Sequence, residues 1–141
     1  MVKKSLLLLL LSLISAPWVY AAPYTNHGNN TVTDQGSGLM WQQSDDSVAR
    51  SWQGSLDYCN GLTLAGHNDW RLPNIKELES IVDATRSNPS VDPVFTGTSA
   101  SYNWSSTSDA YGPEGAWIVY FDYGYVHHYN KTSNYYVRCV R

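Results

Sequence analysis

Two cysteines, Cys59 and Cys139, place the strongest constraint on how this chain can fold. An even number of cysteines in an exported protein is typical of disulfide pairing, because compartments outside the cytoplasm are oxidising. The alternatives are a catalytic thiol and a metal site, but two cysteines without a clustered histidine pair do not make a zinc site. We predict a Cys59–Cys139 disulfide, which would stabilise the fold by roughly 4–5 kcal/mol by closing a loop of about 80 residues.

The N-terminal segment is the evidence for export. Residues 1–21 combine two lysines, an apolar run over residues 6–14 and a small-residue ending at Ala21, the three parts of a secretory signal peptide. The apolar run is too short for a comfortable membrane span, and no later stretch replaces it. We expect a soluble exported protein, periplasmic, secreted or on the cell surface, without a transmembrane anchor after signal removal. Residues 22–141 are enough for a single domain.

A proline and a capping pattern predict a corner followed by a helix. Pro73 restricts its own φ and keeps Leu72 extended. Asn74 is a favoured N-cap residue, and Glu77 stands three positions later, as a capping box requires. Apolar residues at helical spacing then predict a helix over residues 75–83.

The residues before this helix indicate an anchored scaffold. Trp70 and Leu72 alternate as in a half-buried extended segment. Arg71 between them needs a partner, because its guanidinium is always charged and carries five donors. We therefore assign a structural role, not a binding role, to Trp70, Arg71, Pro73 and Glu77.

Further elements complete an α+β outline. Trp52, Leu56 and Cys59 recur at helical spacing, which predicts a helix over residues 49–60 that ends at Gly61. Near the N-terminus we expect an exposed arm or edge segment over residues 22–31, and then a hairpin whose short strands cover residues 31–34 and 39–42. In the C-terminal third, strands are predicted over residues 101–106, 116–121, 125–129 and 136–140.

The fold class that follows is α+β, with two helices packed on a small, twisted, mainly antiparallel sheet. The unbroken apolar run over residues 116–121 indicates a strand buried on both faces, and Gly124 suits a turn with positive φ. Residues 86–100 are predicted to form a long surface loop pinned by Val91, Val94 and Phe95. The disulfide would tie the first helix to the last strand.

Five motifs, taken in their order along the chain, resemble those of the Legionella collagen-like protein C-terminal domain family. They are Asp34–Trp41, Tyr58-Cys59, Asp69–Pro73 with Glu77-Leu78, Trp104–Thr107 and Val137–Val140. The family is similar to the C-type lectin-like fold, in the branch of formylglycine-generating, sulfatase-modifying enzymes. The resemblance implies a loop-rich binding face and a disulfide from helix to last strand. It also implies attachment to sulfated polysaccharides and host surfaces, although this chain lacks a Gly-x-y collagen region. Motif positions expected to be structural include Trp41, Trp104 and Arg138.

Neither metal nor cofactor chemistry is indicated. C-type lectins bind calcium through a Glu-Pro-Asn-type tripeptide, whereas Leu72-Pro73-Asn74 lacks the carboxylate. Hard cations need six or more oxygens, and the loose candidates are Asp45-Asp46 and Asp109 with Glu114. We predict no metal and no cofactor.

Catalysis is not expected either. Formylglycine-type oxidation needs a pair of active cysteines, and the disulfide already accounts for both. His127 and His128 are adjacent on a strand and are expected to face opposite ways, and His27 and His67 have no partner motif. We predict that the chain is not an enzyme and has no catalytic residues.

Tyrosines are concentrated in the C-terminal third, where eight of eleven lie between Tyr102 and Tyr136. Trp117, like Val119 and Phe121, is expected in the core. Tyrosine offers a flat apolar ring with a polar tip, which suits stacking on sugars and protein contacts. The alternative, that these tyrosines cover a sheet short of aliphatic residues, stays open. The candidate ligand-binding residues are Tyr111, Tyr123, Tyr125, His127, Tyr129 and Lys131, with a modest basic patch from Lys131, Arg138 and Arg141.

The charge balance limits the partners. Loss of Lys3 and Lys4 with the signal changes the formal charge from −3 to −5. An acidic domain lacks the cationic field that attracts phosphates, so no nucleic-acid partner is expected. We predict an exported binding or adhesion module for a glycan or a cell-surface protein, with oligomers allowed. The alternatives are a structural or assembly component of the envelope or an appendage, and an enzyme on the same fold.

Overall fold

Two three-stranded antiparallel sheets and two short helices make up the fold. The computed structural model describes residues 23–141, so the signal peptide predicted at residues 1–21 lies outside the described residues. The α+β class is confirmed, whereas the expectation of one sheet is corrected, because the N-terminal hairpin builds a sheet of its own. The elements are β1 (Tyr24–Asn26), β2 (Thr31–Asp34), β3 (Met40–Gln42), α1 (Trp52–Gly61), α2 (Ile75–Ser80), β4 (Tyr102–Ser108), β5 (Gly115–Tyr120) and β6 (Tyr125–Asn130).

The first sheet has the strand order β1–β2–β3, with β1 as the predicted edge segment. The predicted hairpin of β2 and β3 is confirmed, with Thr33 opposite Met40. Asp34 holds the turn between these strands, since its carboxylate accepts hydrogen bonds from the Gly36 N–H at 2.8 Å and the Ser37 hydroxyl at 2.6 Å. Aspartate at the start of a turn commonly does this.

Helix α1 begins later than the predicted residue 49, because Ser51 serves as its N-cap and accepts a backbone N–H of the first turn. The helix includes Gly61, and the C-cap is Leu62, whose N–H donates to the Cys59 carbonyl at 3.1 Å. Cys59 is buried on this helix, as expected from the spacing.

Helix α2 has the predicted capping box but ends early. The Asn74 side chain accepts the Glu77 N–H at 2.9 Å, and a Glu77 carboxylate oxygen accepts the Asn74 N–H at 2.8 Å. The helix ends at Ser80 and not near residue 83, because Val82 becomes extended and pairs antiparallel with Val91. Neither α1 nor α2, the helices of the described part, is long and apolar enough to cross a membrane.

The second sheet has the strand order β4–β5–β6. Tyr120 lies opposite Tyr102 on one side and Tyr125 on the other. Gly124 in the β5–β6 turn has φ +81°, and a Cβ there would lie 2.6 Å from Val82 Cγ1. This position therefore requires glycine both for its backbone conformation and for the close approach of the Val82 side chain.

The C-terminal segment at residues 136–140 corrects the prediction of a terminal strand. Its beginning lies parallel to β4, while Val140 pairs antiparallel with Trp41 on one side and with Arg71 on the other. Val140 and Arg71 exchange two backbone hydrogen bonds of 2.8 and 2.9 Å. The segment passes from the second sheet to the first within five residues, so it forms only isolated pairings with each sheet and no continuous strand.

The predicted Cys59–Cys139 disulfide is confirmed, with the two Cα atoms 5.5 Å apart. It lies in one of two buried clusters that β5 separates. Ile118 points into the disulfide cluster, and Val119 points into the cluster beneath α2 and the long loop. Burial on both faces is thus confirmed for the centre of the strand. Trp117, expected in the core, is only half-buried, because α2 covers part of that face.

The long loop over residues 86–100 is held as predicted. Val91 and Phe95 are buried in the cluster beneath α2, and Val94 packs against it half-buried. The loop therefore has an apolar anchor at its centre although most of its residues are polar.

Candidate functional site

An aromatic face covers one side of the second sheet. Side chains alternate along β6, so Tyr125, His127 and Tyr129 share one side of the strand. The register across β5 and β4 adds Tyr120 and Tyr102 to the same side. The turn residue Tyr123 and the C-terminal Tyr135 join it through ring contacts. We define the aromatic face as Tyr102, Tyr120, Tyr123, Tyr125, His127, Tyr129 and Tyr135.

The inner part of the aromatic face is packed. The Tyr102 ring centroid lies 4.6 Å from that of Tyr120, 5.1 Å from Tyr129 and 5.0 Å from Tyr135. Tyr135 in turn contacts the buried Trp104 at 5.0 Å. The interaction with the Tyr129 side chain, more than any other cause, raises the pKa of Tyr102 to about 12. Tyr102 contacts Tyr120, Tyr129 and Tyr135 at once, so it lies at the centre of the packed part of the face.

The outer part of the aromatic face is open. Tyr123 is 58% exposed and Tyr125 is 67% exposed. Their rings stack with centroids 6.1 Å apart and planes inclined by 29°. Tyr120 supports Tyr123 at 5.9 Å and donates its hydroxyl to Asp122 at 3.0 Å. That hydrogen bond to the carboxylate raises the pKa of Tyr120. The result is a flat, exposed pair of rings on a supported base.

His127 and His128 lie together, which corrects the expectation that they face opposite ways. Their rings stack with centroids 5.3 Å apart and planes 9° apart. The His128 backbone N–H donates to His127 Nδ1 at 2.8 Å. Within residues 23–141, β6 is an edge strand, so the His127 ring can fold around the open edge and bond to the backbone there. No neighbouring strand in the described chain occupies that position.

A cavity of about 480 Å³ lies at the far end of β6 and is lined in part by Tyr111, Glu114 and Tyr129. His128 Nδ1 lies 3.0 Å from a carboxylate oxygen of the nearly buried Asp109. The Tyr111 N–H donates to the other oxygen of Asp109 at 3.0 Å. No set of three or more His, Cys, Asp and Glu side chains in the described residues is arranged to hold a metal ion.

Lys131 is tied into the scaffold. Its Nζ donates to Ser108 Oγ at 2.8 Å and lies 4.1 Å from the centroid of the Trp52 ring. Arg141 donates to an Asp69 carboxylate oxygen at 2.6 Å. A basic patch therefore does not form at this end of the sheet, contrary to the prediction for Lys131, Arg138 and Arg141.

Arg138 is the fully buried member of that predicted patch. Its guanidinium donates to the carbonyls of Gln42 and Gln43 and to Thr98 Oγ1 at 2.7 Å, and it lies 5.1 Å from the Phe95 ring centroid. Burial lowers the pKa of Arg138 to about 10. Its acceptors are neutral oxygens of β3 and the long loop, so it holds these segments together from inside, in the structural role expected from the motif.

A comparison with protein-family models matches residues 30–141 to the Lcl C-terminal domain. The chain belongs to this family. The match includes both helices, the disulfide and all strands except β1. No curated protein matches the chain at a significant level. The family resemblance of the sequence is therefore confirmed, while the C-type lectin-like fold and its formylglycine-generating branch stay predictions.

In this Lcl C-terminal domain, the predicted ligand-binding residues divide into two groups. Tyr123, Tyr125 and Tyr129 lie on the aromatic face, as an alternating strand and its turn would place them, and His127 contacts Tyr129 at the edge of that face. Tyr111, which is fully exposed, lies in the loop beside the far cavity, and Lys131 also lies at that end of the sheet.

Several members of the aromatic face were not singled out from the sequence of this Lcl C-terminal domain. Tyr120 lies in a strand predicted to be buried, Tyr102 lies 23 residues before β6, and Tyr135 follows the end of β6 by five residues. The strand register is the signal that places Tyr120 and Tyr102 on this face. A β5–β6 turn at Gly124 sets Tyr120 opposite Tyr125, and Tyr102 lies opposite Tyr120 in β4. The pairing of His128 with Asp109 depends on loop geometry that no local pattern reveals.

The residues predicted to be structural make the following contacts within the fold. Arg71 forms two hydrogen bonds of 2.7 Å with the Glu77 carboxylate, so one acidic residue both pairs with the arginine and caps α2. Pro73 accepts a hydrogen bond from Ser106 of β4 through its carbonyl at 2.8 Å. Three tryptophans are buried in the two clusters, namely Trp41, Trp70 and Trp104.

Proposed function

We propose that this chain is an exported bacterial binding module that engages a glycan or a cell-surface protein through its aromatic face. The observation that carries this proposal is the stacked, exposed pair Tyr123 and Tyr125. Two adjacent exposed rings form a flat contact surface, and tyrosine is enriched at binding surfaces. Membership of the Lcl C-terminal domain family suggests a bacterial surface-associated module and supports the same direction.

The support beneath the pair favours binding over incidental exposure. Tyr123 rests on Tyr120, which packs on Tyr102 at 4.6 Å. A ring held in place before the ligand arrives loses little conformational entropy on binding. The open pair therefore presents a prearranged surface of the kind on which sugar rings and apolar side chains stack.

The proposal is tested by capture of glycans and intact cells on the oxidised protein. The parent protein is expected to bind at least one of these, and the Tyr123→Ala/Tyr125→Ala variant is expected to lose the signal. His27→Ala is the matched control, because it removes an exposed ring that follows β1, next to the other sheet and off the aromatic face. Equal capture by the parent and the double variant would overturn the proposal.

A second candidate function is a structural or assembly component of the cell envelope or an appendage. The observation that favours it is the position of β6 at the sheet edge, where unpaired backbone groups can pair with another chain. Sedimentation of the purified protein separates the two. Self-association at low concentration without any glycan or cell capture favours assembly.

The proposed role is binding without turnover, at a periplasmic, secreted or cell-surface location. The Cys59–Cys139 disulfide is compatible with export. The arrangement closest to a catalytic pair is His128 with Asp109. Turnover of a hydrolase substrate by the parent but not by His128→Ala would replace binding with catalysis in this proposal.

A further inference from the structure

The cations of the described chain are already engaged. Five of the seven Lys and Arg residues in residues 23–141 form ion pairs with carboxylates, namely Arg50 with Asp46, Arg71 with Glu77, Lys76 with Glu79, Arg86 with Asp83 and Arg141 with Asp69. Lys131 is bound to neutral oxygens and Arg138 is buried. Recognition of sulfate or phosphate esters relies on free arginine or lysine side chains that donate charged hydrogen bonds.

Carboxylates lie at both ends of the aromatic face. Asp122 accepts the Tyr120 hydroxyl beside the stacked pair. At the other end, Asp109 contacts His128, and an added Cβ on Gly112 would meet both Asp109 and Glu114 carboxylates within 3.6 Å. A polyanion lying along this surface would meet Asp122 at one end and both Asp109 and Glu114, beside the ammonium of Lys131, at the other. Carboxylates outnumber ammonium groups along this path, so the net Coulomb energy is unfavourable.

The remaining chemistry of the surface suits hydroxyl groups. Aromatic rings offer stacking faces to the C–H sides of a sugar ring, while tyrosine hydroxyls and carboxylates accept hydrogen bonds from sugar hydroxyls. From Tyr125 to Tyr129 the strand spans roughly 14 Å at about 3.4 Å per residue, long enough for a short oligosaccharide.

We infer that the aromatic face binds an uncharged saccharide and discriminates against sulfated or phosphorylated ones. This inference rests on the proposed function, since it names the ligand class of the same surface. Selectivity comes from the absence of a free cation on the face, within the described residues, and from the carboxylates at its ends. Affinity comes from ring stacking and hydrogen bonds, which salt screens little.

The test is an array of oligosaccharides printed in matched unsulfated and sulfated forms, probed with the oxidised parent protein. We expect the protein to bind unsulfated members of the array. The amount bound should change by less than about twofold between about 50 and 500 mM NaCl, because uncharged contacts are not screened. Tyr123→Ala/Tyr125→Ala should lose this capture at least tenfold, and His27→Ala, which removes an exposed ring next to the first sheet, should retain it.

The outcomes separate this inference from the function on which it rests. If only sulfated members are captured and this capture falls steeply as the salt concentration rises, the ligand is not an uncharged saccharide. If the double variant also loses capture of the sulfated members, the aromatic face is still the glycan-binding surface. Capture of intact cells with no array member bound overturns the saccharide and keeps a surface-protein ligand. No capture of glycans or cells overturns both.

Discussion

The rings of Tyr123 and Tyr125 stack with their centroids 6.1 Å apart while each side chain stays more than half exposed. Four residues further along β6, Tyr129 lies 5.1 Å from Tyr102 and 5.3 Å from Tyr135, inside a packed cluster. One face of one sheet thus contains rings available to a ligand and rings committed to the fold. The two kinds of tyrosine should respond differently to the same substitution.

Tyr125→Ala is expected to change the free energy of unfolding by no more than about 0.5 kcal/mol, because an exposed side chain has few contacts to lose. Tyr129→Ala is expected to cost about 2–3 kcal/mol, because it leaves a hole among Tyr102 and Tyr135. Urea unfolding of both variants beside the parent measures the contrast. Equal costs would show that the face is not divided as described.

Loss of the disulfide should be costly. Cys59→Ser/Cys139→Ser is expected to lower the free energy of unfolding by roughly 2–5 kcal/mol, since the bond closes a long loop in the unfolded chain. Adding a thiol reductant to the parent should produce the same shift in urea midpoint. The double variant is the control, because reductant should leave its midpoint unchanged. A shift there would point to an effect of the reductant other than reduction of this bond.

Opening the edge of β6 should promote self-association. His127→Ala removes the imidazole that accepts the His128 N–H at 2.8 Å, and leaves that donor free on an edge strand. Analytical ultracentrifugation is expected to show a sedimentation coefficient that rises with concentration. His27→Ala removes an exposed histidine from the other sheet and should stay like the parent. Identical sedimentation of the two variants would contradict a protective role for His127.

Acid should destabilise the corner that contains Glu77. The hydrogen bonds from Arg71, and to a smaller extent from the Asn74 backbone, hold the pKa of Glu77 below its ordinary value of 4.5. The unfolded chain therefore takes up the proton first as pH falls. The stabilisation is complete above the ordinary value and is lost as pH falls through the lower, folded value.

Glu77→Gln should flatten the fall of the melting temperature between about pH 6 and pH 3, because the titrating group is gone. The control is Glu79→Gln, which removes a carboxylate from the exposed ion pair with Lys76 on the same helix. An acid dependence in Glu77→Gln as steep as in the parent would assign the effect to other groups.

Local sequence patterns correctly predicted the structural features that are set by residues close together in the sequence. The capping box of Asn74 and Glu77 and the β2–β3 hairpin are set by residues a few positions apart, and both are present. The disulfide followed from compartment and parity. These features involve short loops or covalent chemistry, for which the sequence contains most of the physical information.

Features that depend on distant segments were harder to predict. The alternation rule assumes a side chain stays on its own side of the strand, yet His127 folds around the open edge and meets His128. An arginine beside a cysteine gives no sign that three neutral oxygens from β3 and the long loop will surround it, as they surround Arg138. Residues 136–140 pair with partners in two sheets, and no local period describes such a segment.

The position of residues 136–140 also has a consequence for folding kinetics. Their backbone partners lie at Gln42, at Arg71 and in β4, all of which are synthesised earlier. Neither sheet has its full set of contacts until this segment arrives, so folding cannot be completed stepwise from the N-terminus as the chain is made. A topology dominated by such distant pairings folds slowly, because loop-closure entropy is lost before the contacts form. Completion of both sheets should therefore wait until residues 136–140 are available, so the last five residues before the C-terminal arginine control when the domain becomes native.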